Sequence, residues 1–446
     1  MPNNLSLLSS MSRVETPFIK VTIGDYVFGV AQKTKLVIDG TQTVSGVQYP
    51  NYIESLEIEK INGQVNKYTL SVKYPVTEND DPNFFDKVLS SISKSRKITF
   101  EYGDLSNPSF CYRNEEALFL KATEGVYFSS SVISYKIYAV SACDMLSQGN
   151  HNFDACHRQP SALIEDILYG VMETGNSRNA SFDVIRNELF EVFPGMRDRA
   201  AVTAHGLIVH DDMPVDIQAR TNMTIFDYLK YLVSCMRESA SSSSTGGNVF
   251  SLVVMDDTSG ELGGPYFKVQ KASTSMNVVD AYELDIGFPS QSIVTDFSIS
   301  NSDNYSIYYD FENEHNDAQY VYRINDDGDI VKTYAPPISS KTSSRTTTES
   351  QRSWWENVTK FPIKSKITVR GLLKPAILMT NVRLNVLFFG KSHISSGLYV
   401  VTGEKDNIDE KGFRTTLSLL RVDGVPMLGG VIYDNEGIDK GKTSRY

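Results

Sequence analysis

Positive charge is in short supply: Lys and Arg number 43 against 54 Asp and Glu in 446 residues, a formal net charge of -11. A chain whose main task is to wrap nucleic acid needs Lys and Arg at phosphates. A polybasic membrane-surface protein needs them at lipid headgroups. Both classes are disfavoured. Cysteine is equally scarce. Cys111, Cys143, Cys156 and Cys235 make no disulfide scaffold in a chain of this length and read as small buried hydrophobes in a reducing compartment. No apolar run reaches the roughly 18 residues of a spanning helix. The short apolar patch of MPNNLSLLSSMSRVE follows no basic n-region, so no signal peptide is expected. Gly-x-Gly-x-x-Gly, a Walker loop, His-Glu-x-x-His and Gly-x-Ser-x-Gly are all missing. This weighs against nucleotide, metalloprotease and hydrolase roles, and no cofactor is expected.

What the sequence does have is aromatic rings and alternation. It holds 24 Tyr and 22 Phe, with 41% hydrophobic residues, too apolar for a disordered chain and inclined to β structure. Residues 1–15 read as a flexible arm. In 16–145, IESLEIEKING and NKYTLSVKYPV alternate apolar and polar residues around Asn62-Gly63, a strong hairpin signal. Pro82 opens an expected helix, NFFDKVLSSISKS, and three strand-like runs follow, so this block is expected to be a β-barrel or sandwich with one helix. Residues 146–279 carry three helical patterns, for which Ser161, Ser181 and Thr224 are candidate caps, and then a hairpin from NVFSLVVMDD to GPYFKVQKA. Strands return over 280–425. They include an inserted hairpin turning at Asp326-Asp327-Gly328 and a polar loop ahead of Trp354-Trp355, together spanning about 312–353. Residues 426–446 read as an extended tail.

The acidity is concentrated. Between Asp280 and Asp329 twelve acidic residues face one basic residue, Arg323, so this stretch nets -11, the excess of the whole chain. An ordinary solvated face is one reading. A negative wall along a channel is the sharper one, because like charge repels DNA phosphates and lets a duplex slide past. The candidate lining residues are Asp280, Glu283, Asp285, Asp296, Asp303 and Asp310. His151, Cys156 and His157 lie close together but no second ligand pair accompanies them, so no metal site is expected. His205 and His210, beside Asp211 and Asp212, read as surface histidines. Asn325–Asp329 reads as a β-turn, since no Glu falls at the twelfth position of a calcium loop. No catalytic set stands out, and no enzyme is expected.

The C-terminal block runs LLKPAILMTNVRLNVLFFG, then SGLYVVTGEKDNIDEKGFRTTLSLLRV, with Lys411-Gly412-Phe413 at its turn. It resembles the closing strands of baseplate hub proteins from bacteriophage tails and contractile injection systems. MTIFDYLKYLVSCM resembles the helix opening that family's middle module, and YELDIGFPSQSIVTDFSIS the strand pair entering its second barrel. The resemblance implies a mainly β fold with an α+β insertion: two tail-tube-like β-barrels plus a helical middle module. It implies a homotrimeric, pseudo-sixfold ring joining a hexameric tail tube protein to a trimeric central spike protein. Wedge proteins of the baseplate would surround it, DNA would be a passing cargo, and the setting would be a virion tail assembled in host cytoplasm. Only about twenty residues follow Val422, so the spike is expected to be a separate protein. The rival expectations are a receptor- or carbohydrate-binding tail protein and a tail-associated wall hydrolase.

Overall fold

The computed structural model describes residues 17–23, 53–75, 98–104, 112–128, 132–168, 206–236, 249–256, 266–272, 278–288, 294–301, 363–370, 378–393, 395–409 and 411–421, with isolated positions in 81–90 and at 187 and short strand pieces in 26–49, 308–335 and 425–445. The chain is mainly β with a small helical part.

Six strands make the first block: β1 (Pro17–Ile23), β2 (Ile53–Ile61), β3 (Lys67–Pro75), β4 (Ile98–Asp104), β5 (Tyr112–Phe128) and β6 (Val132–Ser141). Their hydrogen-bonded order is β2-β3-β6-β5-β4-β1. The period-2 alternation of IESLEIEKI places Leu56 and Ile58 inside, because successive strand side chains leave on opposite faces. The sheet curls strongly. Tyr68 on β3 stacks on Phe100 of β4 with ring centroids 4.7 Å apart, although two strands separate β3 from β4 in the sheet. The expected hairpin of β2 and β3 is present, closed by residues 62–66 with Gly63 at φ +69°. Of the helix expected after Pro82, Asn83, Lys87 and Ser90 are described: Asn83 lies in a turn and the other two are helical.

The middle module builds its own core. Helix α1 (Pro160–Leu168), helix α2 (Ile225–Cys235) and the hairpin of β7 (Val249–Met255) with β8 (Tyr266–Ala272) enclose Leu163, Ile164, Leu229, Leu232, Phe250 and Phe267. Thr224 caps α2 as expected: its hydroxyl accepts the Asp227 amide at 3.0 Å and donates to the Asp227 carboxylate at 2.9 Å. Hydrogen bonding from Lys230 and Thr224 holds the Asp227 carboxyl below its ordinary range. Because the folded value is the lower one, this support is present above the unfolded carboxylate pKa and fades as pH falls through the folded one. Thr224→Ala is expected to cost about 1 kcal/mol, read by urea unfolding. Ser161 is not a cap. Pro160 already occupies the first helical turn, and Ser161 lies within the helix. The helix expected around Ser181 lies outside the described residues, Asn187 apart, which is helical.

The second block also has six strands: β9 (Val278–Ile286), β10 (Val294–Asn301), β11 (Ile363–Arg370), β12 (Asn381–Phe388), β13 (Gly397–Asp409) and β14 (Gly412–Arg421). Their order is β9-β12-β13-β14-β11-β10, and β9 runs parallel to β12. Tyr282, Ile367, Leu384, Val386, Tyr399 and Leu417 form its core. The expected inserted hairpin pairs Gln319–Ile324 with Ile330–Ala335, while its turn and Trp354-Trp355 lie outside the described residues.

Candidate functional site at the joint of two β blocks

The 13-residue strand β13 changes partner along one edge. Residues 397–400 pair with β12, and residues 403–408 pair with β2 of the first block. The switch falls at a bulge between Val401 and Gly403, the device that re-aims a strand. Along its other edge β13 pairs with β14 from Tyr399 to Asp409. Both blocks therefore belong to one sheet, whose 14 strands are these twelve with the short Tyr26–Phe28 beside β1 and Lys391–Ser392 beside β12.

The Asn62-Gly63 turn is wedged into this joint. The Asn62 amide donates to the Thr402 carbonyl at 2.9 Å, and the Gly63 amide to the Leu252 carbonyl of β7 at 2.9 Å. The Asn62 side chain donates to the Ser251 hydroxyl at 2.8 Å. One turn thus ties the second block and the middle module to the first. Behind it lies Asp256, just past β7 and only 2% exposed. Its carboxylate accepts from Asn66 Nδ2 at 2.9 Å, from the Tyr68 hydroxyl at 2.9 Å and from the Ser141 hydroxyl. Burial, with the Asp256 carboxylate as the next cause, pushes the Cys143 thiol well above its ordinary value, so it stays protonated and inert. Cys143 and Cys235 are buried thiols outside any disulfide, and Cys156 is half-buried.

The inner face of β13 and β14 runs from one core to the other across a polar layer. Phe413 and Ile408 belong to the first core, Leu417 and Leu419 to the second. Between them lie buried Glu404, Asp406 and Thr415, with the Thr415 hydroxyl donating to Asp406 at 2.6 Å. The outer face is wet and balanced. Lys405 pairs with Glu57 at 2.8 Å, Lys67 with Glu59 at 3.7 Å, and Lys73 with Glu54 at 4.0 Å. Sequence reasoning missed this face: Lys67–Glu59 and Lys73–Glu54 span the hairpin of β2 and β3, but Lys405–Glu57 joins strands more than three hundred residues apart.

Four of the six acidic residues proposed from sequence are described. Asp280, Glu283 and Asp285 lie on β9 and Asp296 on β10, at opposite ends of the second block's strand order; Asp303 and Asp310 lie outside the described residues. Asp296 is exposed, whereas Asp285 is 7% exposed and accepts the Gly390 amide at 3.3 Å.

Among the described residues His157, His210 and His393 have side-chain partners, and His205 lies outside the described residues. His157 meets Asp216 across a strand pair at 2.7 Å, and burial lowers the pKa of His151. His210 was expected at the surface; it is half-exposed but engaged, its Nδ1 2.9 Å from the Ser161 hydroxyl and its Nε2 3.0 Å from the Glu165 carboxylate. That is a hydroxyl, an imidazole and a carboxylate in relay. Ser161, however, has no exposed surface, and a nucleophile without access cannot attack. The Asp212 carboxylate accepts the Ser161 amide at 2.9 Å, so the cluster closes the start of α1. Among the described residues, no three His, Cys, Asp or Glu side chains gather as metal ligands, and no helix is long and apolar enough to cross a membrane.

No protein-family model matches the sequence, and no curated protein matches it. Several solved structures do. The 43 kDa tail protein of prophage MuSo2 from Shewanella oneidensis is 12% identical with a TM-score of 0.46, over 92% of this chain and 97% of that one. The tail protein from Neisseria meningitidis MC58 is 9% identical with a TM-score of 0.47, over 91% and 96%. The E. coli c3393 protein, described as a component of the type VI secretion system, is 10% identical with a TM-score of 0.44, over 84% and 75%.

Proposed function

We propose that this chain is a structural hub of a phage-type tail, a homotrimeric ring that joins a hexameric tail tube to a trimeric central spike around a DNA channel. The partner switch of β13 carries the reading. It fixes two six-stranded curled blocks rigidly within one chain. Three such chains present six blocks, so one ring meets sixfold symmetry on one side and threefold on the other. The sequence resemblance to baseplate hubs supports the same assignment. The work is geometric and needs no catalytic group, and the one Ser-His-Glu relay among the described residues has a buried hydroxyl.

The channel wall in this proposal is the outer face of the shared sheet. On its first-block half Lys405, Lys67 and Lys73 face carboxylates on the neighbouring strand, which weakens their hold on a passing phosphate backbone, while Lys366 of β11 stands exposed between Ser298 and Ser418. Exposed acids of the second block, Asp296 among them, add repulsion. Glu283, Asp280, Asp303 and Asp310 belong to that proposed lining, while Asp285 serves the turn beneath it. The wider partners proposed are the tube, the spike and the wedge proteins, with the virion tail as the location. Light scattering coupled to size exclusion tests this. The expected mass is three times 49.8 kDa, about 149 kDa, alone or with the spike. A monomer in both conditions would sink the proposal.

A further inference from the structure

Asn62-Gly63 is the one Asn-Gly pair of the chain, and it forms the turn wedged into the joint of the two blocks. Such a pair can react with itself. The glycine nitrogen is the nucleophile and the asparagine Cγ the electrophile, and glycine has no side chain to obstruct the approach. Asparagine is a thermolabile residue for this reason.

Here both reacting groups are tied down, and by consecutive residues of one strand. The Asn62 side-chain NH2 donates to the Ser251 hydroxyl at 2.8 Å, and the Gly63 amide donates to the Leu252 carbonyl at 2.9 Å, both on β7 of the middle module. To become a nucleophile, the Gly63 nitrogen must shed the proton it gives to Leu252. To meet it, the Asn62 side chain must swing away from Ser251. Neither happens while β7 lies on the turn. Space is not the obstacle: Gly63 stands at φ +69°, and outside its chain neighbours nothing lies within 4 Å of where a Cβ would be.

Conversion would also be one-way. Asn62 Oδ1 is buried and accepts no hydrogen bond among the described residues. A carboxylate in its place would bring charge to an oxygen with no donor. An isoaspartate would add a methylene to the backbone of the turn. The amides of residues 62 and 63 could then no longer reach the Thr402 and Leu252 carbonyls together.

We infer that Asn62 is a self-modification site gated by the joint: when β7 lifts off the turn, the Asn62 side-chain amide hydrolyses through a succinimide, and the joint cannot close again. The Gly63 amide proton is lost to base, and the nitrogen bonds to Asn62 Cγ. The Cγ–Nδ2 bond breaks, and ammonia leaves. Water then opens the ring at either carbonyl, giving aspartate or isoaspartate. Water is the only co-reactant, and nothing is oxidised or reduced. The inference concerns one chain and stands apart from the hub reading.

Peptide mapping by mass spectrometry tests it on the full chain, aged at mildly alkaline pH in native buffer and, separately, in urea. Conversion at Asn62 is expected in urea and at least about tenfold slower in native buffer, because the reaction follows the population of open molecules. Ser251→Ala is expected to raise the native rate about fivefold, the factor that loss of one typical hydrogen bond gives that population. Tyr68→Phe removes one of the three donors to Asp256, which follows β7, and leaves the reacting groups and their β7 partners in place. It too is expected to raise the native rate about fivefold. Equal rates in native buffer and urea, or no conversion in urea, overturn the proposal. Acceleration by Ser251→Ala without acceleration by Tyr68→Phe shows that Ser251 restrains the amide directly, and overturns gating by the joint. Asn62→Asp reproduces the aspartate product and is expected to unfold at lower urea than wild type at neutral pH. An unchanged midpoint overturns the one-way step.

Discussion

Asp256→Ala should lower the stability of this protein by about 3–5 kcal/mol, the range for breaking a buried charged network by removing one member. Three side chains from the first block converge on that carboxylate: Asn66, Tyr68 and Ser141. Hydrogen bonds to a charged group contribute about 1.5–3 kcal/mol each, and every donor left without an acceptor in a dry site costs about 1–3 kcal/mol. Asn66 also reaches the Val254 carbonyl at 3.3 Å, so its loss is partial and the sum stays below three full bonds. Asp256→Asn keeps the shape but turns an NH2 group toward donors, and about 1–3 kcal/mol is expected. Tyr68→Phe removes one donor and leaves the carboxylate two others, for about 1 kcal/mol. Urea unfolding of the three variants checks both the order and the size. An Asp256→Ala protein within 0.5 kcal/mol of wild type would mean that the network tying the middle module to the first block carries no stability.

What could be read from the sequence was whatever depends on neighbours along the chain. The Asn62-Gly63 hairpin, the Thr224 cap and the Gly412 turn are each set by a few consecutive residues, and all three are present. The parallel pairing of β9 with β12 joins residues about a hundred positions apart, and β13 with β2 more than three hundred. Period-2 alternation places a strand's faces but does not name its partner. The same limit hid the joint. Nothing in GEKDNID marks Glu404 and Asp406 as interior residues, yet both are buried between two cores. Ser161 was misjudged because Pro160 at the first helical turn outweighs a serine one residue later. The acidic stretch was legible as charge, while its placement was not, since alternation does not say that β9 and β10 take the two ends of one strand order.

Phe413→Ala should loosen the first block rather than the one to which its own strand belongs. Phe413 and Leu417 lie four residues apart on one face of β14, both buried, and they enter different cores. The Phe413 ring meets Tyr102 of β4 edge to face at 6.2 Å, across more than three hundred residues of sequence. Truncating a buried Phe to Ala costs about 3–5 kcal/mol, and a buried Leu about 2–5 kcal/mol. The two variants therefore match in size and differ in place. Native-state hydrogen exchange resolves the difference, because local openings report the stability of their own region. With Phe413→Ala, exchange is expected to rise first in β1 to β6. With Leu417→Ala it is expected to rise first in β9 to β14. If Phe413→Ala instead frees the second block first, the tip of β13 and β14 is not a working part of the first core. The two blocks would then be joined by hydrogen bonds along β2 alone, a hinge rather than the rigid pair that a symmetry adaptor requires.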